Sequence, residues 1–339
     1  MTGHAAPPWA VAVSGGGDSL ALMHLLLKFA RARGLAAPLV LTVDHGLRKN
    51  SAQDAKQVLA WAKQAGLAAH LLTWRGPKPK SGIEAQARQA RYRLMGDFLK
   101  KNGIATLFVG HNLDDQVETF LLRLARGSGL DGLAGMAQRA PWPVPGFSGL
   151  ALVRPMLGFG RDQLRAYLSG LDQAWLDDPM NDDAAFDRVK IRKVRMALTE
   201  AGLTAPRIAA AASHLARARE SLEIMTEAVL RRAARKSQAG GILLDSAALA
   251  AAPREVGLRS LASVLMAVGG QAYRPRFESL ERLFDQVTGA GLAGGTTLHG
   301  CHIRPADKAS APFSLAVVRE NPRKTGSSLK PRTAHKNSQ

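Results

Sequence analysis

The stretch Val11-Ala12-Val13-Ser14-Gly15-Gly16-Gly17-Asp18-Ser19-Leu20 decides how this chain is read. The apolar run at 9–13 predicts a short buried strand, and the apolar residues at 20–29 have the length of a helix. A strand, a glycine-rich turn and a helix N-terminus together make an anion site. Glycine lets a ligand approach the backbone, and the first helical turn offers free N–H groups. Two glycine motifs are excluded. A Walker loop needs Gly-Lys-Ser/Thr, and no lysine follows these glycines. A dinucleotide fingerprint needs Gly or Ala where Leu20 stands. Ser14, Gly15, Gly16, Gly17, Asp18 and Ser19 remain as phosphate ligands, with Asp18 also suited to a metal ion. A plain turn between strand and helix is the competing reading.

Outward from this turn, strands and helices alternate. Residues 38–43, 70–74 and 105–109 predict apolar strands; 51–65, 83–101 and 113–125 predict helices, with Ser51 as an N-cap. Strands that are apolar throughout and separated by helices imply a parallel α/β sheet covered on both faces. Ligands bind such sheets beyond the carboxyl ends of the strands, where Ser14, Asp44 and His111 all fall. After Gly127 the chain turns to loop material, including Pro141-Trp142-Pro143-Val144-Pro145-Gly146, then a strand at 150–154 and a helix at 162–171. A domain boundary is expected at 202–206. Beyond it, 207–236, 253–268 and 276–287 read as helices, and segments around 296–304 and 313–318 as strands. The expected division is a catalytic domain at 1–205, a mainly helical domain with a small β element at 206–320, and a disordered basic tail at 321–339.

With 339 residues and 46% hydrophobic content, the chain can form two folded domains. No apolar run has the ~18 residues of a membrane span, and the first residues lack the pattern of a signal peptide. A lone Cys301 excludes an internal disulfide and a cysteine metal cluster. Cytoplasmic localisation is therefore expected. The net charge of +19 is spread over both halves and favours a polyanionic partner, with nucleic acid preferred over a merely basic surface.

Four further groups carry candidate chemistry. In Gly110-His111-Asn112-Leu113-Asp114-Asp115-Gln116-Val117-Glu118-Thr119, the side chains of Asp115, Glu118 and Thr119 share a face at a helix start, where a carboxylate can hold Mg2+ between phosphates. Ordinary capping predicts acids there too. Glu84, Arg88 and Arg91 share a face of the helix at 83–101, which fits either phosphate binding or an exposed ion pair. Arg188, Arg192 and Arg195 line one face of a basic helix, suited to RNA or simply to solvent. His45, next to Asp44, either lines a nucleotide pocket or packs in the core.

Ser14-Gly-Gly-Gly-Asp-Ser19 resembles the PP-loop of ATP pyrophosphatases. Taken with Val43-Asp-His-Gly-Leu-Arg48, the segment from Glu84 to Tyr92, the Gly110 to Thr119 motif, Arg154-Pro-Met-Leu157, and Asp178-Pro-Met-Asn181 followed by Arg188 to Arg192, it resembles the tRNA(Ile)-lysidine synthases over residues ~10 to 200. The resemblance implies a Rossmann-like, adenine nucleotide alpha hydrolase-like fold. It also implies a two-step reaction on the CAU-anticodon isoleucine tRNA. ATP adenylates the C2 oxygen of the wobble cytidine, releasing pyrophosphate, and the side-chain amine of L-lysine then displaces AMP to leave lysidine. Carried over, the catalytic residues are Asp18, Asp115 and Arg88 or Arg91. ATP is held by Ser14 to Ser19 with Asp44, His45 and His111, and Mg2+ by Asp18, Asp115 and Glu118. Arg188, Arg192 and Arg195 contact tRNA. Homodimer formation is left open. A PP-loop tRNA sulfur transferase would need cysteines to carry sulfur, and an ATP-dependent amidating ligase for a small metabolite would not need this charge.

Overall fold

The structure, a computed structural model, describes residues 8–48, 50–76, 78, 81–176, 197–238, 240–271, 273–289 and 291–320. It divides into two compact units, Met1–Arg219 and Glu220–Gln339.

The first unit is built on a six-stranded sheet of order β3-β2-β1-β4-β6-β5. Its strands are β1 (Trp9–Ala12), β2 (Leu39–Asp44), β3 (Ala69–Thr73), β4 (Thr106–Phe108), β5 (Arg139–Pro141) and β6 (Ala151–Val153). All pair in parallel except β5, which runs antiparallel to β6 at the edge. The helices are α1 (Gly17–Ala32), α2 (Ser51–Gln64), α3 (Ile83–Lys101), α4 (Leu113–Ala125), the short α5 (Leu130–Leu133) and α6 (Arg161–Ser169).

Alternation along the strands splits the core between the two faces of the sheet. Trp9, Val11, Val13, Phe108 and Val153 pack with α1, with Val58 and Ala62 of α2, and with Leu164 and Leu168 of α6. Ala10, Leu107, Val109 and Leu152 face the other way, onto Tyr92, Met95 and Leu99 of α3 and onto Trp142. Trp142 lies in the proline-rich stretch expected to be only loop. It anchors that stretch by donating from Nε1 to the Tyr92 carbonyl at 3.2 Å.

From β1 the chain adds β2 and β3 on one side, then crosses to place β4 on the other. The strand order therefore reverses between β1 and β4, whose register pairs Ala10 with Leu107 and Val11 with Phe108. Adjacent carboxyl ends at such a switch point splay their turns apart and leave a crevice.

Several boundaries differ from the sequence reading. α1 begins at Gly17, so Gly17, Asp18 and Ser19 form its first turn instead of a preceding loop. Asn50, not Ser51, precedes α2 as its cap residue. Residues 139–141, read as loop, pair as β5 because β6 offers a free edge.

The helix α7 (Ala205–Ala233) includes Arg219 and Glu220, where the two units divide, and the expected boundary at 202–206 lies earlier in the chain. The second unit contains a five-stranded antiparallel sheet, β7-β8-β11-β10-β9. Its strands are β7 (Ala234–Lys236), β8 (Ile242–Leu244), β9 (Thr296–Leu298), β10 (Cys301–Pro305) and β11 (Leu315–Arg319). With them are α8 (Ser246–Ala250), α9 (Arg254–Gly269) and α10 (Phe277–Thr288). Residues 234–236 were expected to continue the helix. They form β7 because pairing with β8 supplies the backbone bonds that another helical turn would have. Leu261, Leu265, Phe284, Cys301, Ile303 and Val317 are among the buried core residues. The Cys301 thiol donates to the Leu265 carbonyl at 3.2 Å, and burial pushes its pKa up, so it behaves as a core group.

One contact tests the switch-point geometry. A Cβ on Gly110 would lie 3.1 Å from the Asp18 carbonyl oxygen and from the Ser19 N and Cα, all backbone atoms that cannot swing away. Gly110→Ala is therefore expected to destabilise the protein by about 1–3 kcal/mol. Urea unfolding measures this, and an unchanged midpoint would mean that α1 and β4 are not in such close contact.

Candidate active site

The turn after β1 is closed by its own side chains. The Ser19 hydroxyl donates to the Gly16 carbonyl at 2.8 Å and accepts the Ser14 N–H at 3.1 Å. The two serine hydroxyls lie 3.4 Å apart. Gly15 has φ +95°, a left-handed conformation that an L side chain rarely takes, and a Cβ there would meet the Leu176 side chain at 2.6 Å. The helical ladder of α1 starts with Ser19 and Leu20 donating to Gly16 O, which leaves the preceding amides facing the open end of the helix. Ser14 is exposed and Gly15 buried, while Gly16, Gly17 and Asp18 are half-buried. This is the geometry of a backbone anion cradle.

Across the switch point, α4 starts with a capping box. Asn112 Oδ1 accepts the Asp115 N–H at 2.9 Å, and Asp115 Oδ2 accepts the Asn112 N–H at 3.0 Å. The capping reading of Asp115 is thus correct for one of its oxygens. The other, Oδ1, lies 4.0 Å from Arg161 of α6, and the same guanidinium lies 3.5 Å from Asp18 Oδ2. Arg161 therefore joins the glycine turn to the acidic helix. Its own backbone N–H donates to Asp114 Oδ2 at 2.8 Å, so Asp114 caps α6 and fixes the arginine in place. Parallel pairing of Asn112 with Met156, and donation from Leu113 N–H to the Phe159 carbonyl, carry the chain from β6 to this point.

Burial pushes the Asp115 carboxyl up to about 6, and the Glu118 and Asp18 charges add to this; the Asn112 N–H and Arg161 pull the other way. Glu118 is only 3% exposed. Burial opposes the charge on Arg161, yet Asp18, Asp115, Asp114 and Glu118 together hold its pKa above the ordinary value. Asp18 Oδ1 is buried and accepts no hydrogen bond. Among the described residues no group of three or more His, Cys, Asp or Glu side chains could hold a metal by itself.

The remaining sequence candidates lie around this edge. Asp44 ends β2 and accepts the Gly46 N–H at 2.9 Å, closing a turn. His45 meets Trp74 edge-on at 6.3 Å, and its Nδ1 is buried without a hydrogen bond. Burial drives its pKa down to about 4, with the Arg91 and Lys78 charges assisting and Asp44 opposing. His111 is half-buried just beyond β4. On α3, Arg91 is half-buried and acts on His45, whereas Arg88 is exposed and acts on Arg154. Both guanidinium groups nonetheless lie over the Tyr92 ring, at 5.1 Å for Arg88 and 5.4 Å for Arg91. Arg188, Arg192 and Arg195 lie outside the described residues.

Arg161, Asn112, Asp114 and Gly110 were not among the sequence candidates. The signal for Arg161 was a basic residue at the first position of a helix, against the dipole.

The His45 environment has a measurable consequence. A histidine held neutral in the fold stabilises it above the unfolded pKa of 6.5, and that contribution is lost as pH falls toward about 4. Stability measured from pH 7 to pH 4 should therefore fall more steeply in the parent chain than in His45→Asn. Parallel curves would show that His45 titrates as it does in the unfolded chain.

The comparisons with known proteins agree with this geometry. A family model described as a PP-loop domain matches residues 3–198. The tRNA(Ile)-lysidine synthase of Ruegeria pomeroyi is 42% identical over 78% of this chain and 62% of its own length. The one from Methylobacterium nodulans is 41% identical over 93% of this chain and 91% of its own, and that from Wolbachia pipientis is 34% identical over 93% and 71%. The chain thus spans under two thirds of the Ruegeria protein but nearly all of the Methylobacterium one. Among solved structures, a U34-tRNA thiolase from Methanococcus maripaludis aligns with a TM-score of 0.51 at 16% identity, covering 62% of this chain and 72% of that one, which is a likeness of fold. A PP-loop fold whose glycine turn and acidic helix meet at the switch point, with relatives of this similarity along most of the chain, places it in the tRNA(Ile)-lysidine synthase family.

Proposed function

We infer that this chain joins L-lysine to C2 of the wobble cytidine in the CAU-anticodon isoleucine tRNA, using ATP and releasing AMP and pyrophosphate. The observation that carries this reading is the meeting of the Ser14–Ser19 cradle with Asp115 across Arg161. The glycine turn and a carboxyl facing Arg161 are there brought together, which supports a site for a phosphate ligand.

In the first step, the backbone amides at 15–18 hold phosphate oxygens of ATP and orient the α-phosphorus toward the cytidine C2 oxygen. A carbonyl oxygen is a poor leaving group until it is adenylated, so positioning is the main task of these residues. Arg161 sits where negative charge collects as pyrophosphate departs. In the second step the lysine amine attacks C2 and AMP leaves. Arg88 and Arg91 both lie over the Tyr92 ring, and Arg91, half-buried and with its charge felt at His45, is assigned to the nucleotide.

The residues present fit Mg2+. Asp18 Oδ1 is an unpartnered hard oxygen, and Asp115, its pKa raised chiefly by burial, stands beside it with Glu118. Mg2+ favours one or two carboxylates, with phosphate and water completing its shell. Asp18, Asp115 and Glu118 would hold it, and it would offset phosphate charge. Residues 1–205 serve as the ATP-dependent domain and 206–320 as the tRNA-binding domain, with Arg188, Arg192 and Arg195 as further phosphate contacts. No helix among the described residues is long and apolar enough to cross a membrane, consistent with a cytoplasmic enzyme.

Incubation with labelled lysine, ATP and either CAU-bearing tRNA tests the proposal. Label should enter the isoleucine tRNA and not the methionine tRNA, with one pyrophosphate released per lysine. Pyrophosphate release with no lysine incorporated would contradict it. Asp115→Asn keeps an acceptor for the Asn112 N–H but removes the charge, so it should fold normally and lower turnover by about 10²-fold or more. Normal turnover in that variant would remove Asp115 from the chemistry.

A further inference from the structure

The turn joining α9 to α10 has the sequence Tyr273-Arg274-Pro275-Arg276-Phe277. Tyr273 is 67% exposed and Phe277 61%, and neither belongs to the core cluster of the second unit. Arg274 and Arg276 are exposed as well, while Pro275 between them is buried.

The turn is braced. The Tyr273 carbonyl accepts from His299 Nε2 at 2.7 Å, and the two rings meet edge-on at 5.3 Å and 84°. His299 is itself held at φ +57° in the β9–β10 turn, beside Gly300 at φ +73°. Its carbonyl oxygen sits so near Gly269 that any Cβ there would collide with it. Exposed rings cost solvation free energy and add nothing to this core. The fixed pose of the Tyr273 ring, with the exposed Phe277 four residues on, therefore points to a ligand.

The chemistry selects the ligand. Aromatic faces flanked by guanidinium groups stack on bases and hold phosphates, and such pairs serve unpaired nucleotides in particular. The net charge of +19 favours the same polyanion. A second copy of the chain would bring like charges together at this turn, which disfavours self-association. The stretch itself contains no acid; Glu278 follows it in the first turn of α10.

We propose that Tyr273 and Phe277, flanked by Arg274 and Arg276, form a stacking platform for unpaired nucleotides of the RNA substrate. This rests on the tRNA reading above and names a surface of the second unit that takes part in it.

The test measures binding of an isoleucine tRNA transcript to the full chain at several salt concentrations. Tyr273→Ala/Phe277→Ala should weaken binding about tenfold or more, with the slope of log K against log salt unchanged, because stacking releases no counterions. Arg274→Ala/Arg276→Ala should flatten that slope. Tyr273→Trp and Phe277→Trp should keep full affinity, and all variants should share the parent unfolding midpoint. Parent-like tRNA affinity in the double alanine variant overturns the platform while leaving the proposed function standing. The same holds if that variant only changes the oligomeric state. A parent chain that binds no tRNA removes both readings.

Discussion

The close approach of Gly110 to the first turn of α1 is the constraint on which the site depends. With no side chain at 110, backbone meets backbone at the switch point, and the end of β4 lies against Asp18 and Ser19. The two turns come from strands far apart in sequence but paired in the sheet, so parallel pairing and one glycine bring their chemistry together. The Ser14–Ser19 hydrogen bonds close the first turn and the capping box closes the second. Neither turn needs a ligand to hold its shape.

Electrostatics then joins what packing has brought near. Asp18, Asp115 and Glu118 crowd one edge, and Arg161, fixed by the Asp114 cap, faces Asp18 and Asp115. The site still holds one carboxyl at about 6, well above the ordinary range. Burying a carboxyl at this cost to stability is a feature common at functional sites. On this reading Asp115 has two tasks, one oxygen capping α4 and the other directed into the crevice.

Much of this was legible in local sequence. α3 and α4 have the bounds read from their periodicity, and the PP-loop turn was identifiable by what it lacks as well as what it contains. What local pattern does not encode is partnership over distance. Arg161 takes its role from residues 143 and 46 positions away, and residues 234–236 become a strand only because β8 is there to pair with. The edge strand β5 was hidden by Pro141, a residue tolerated at an edge. The exposed rings at 273 and 277 fit a helical stripe as well as a surface site until their burial is known.

The central claim is that ATP binds with its phosphates on the Ser14–Ser19 cradle, facing Asp115 across the switch point. A crystal structure of the full chain with Mg2+ and a non-hydrolysable ATP analogue tests it most directly. The account predicts phosphate oxygens on the amides of residues 15–18 and a cation touching Asp18 and Asp115. Triphosphate bound elsewhere, with the glycine turn empty, would contradict it.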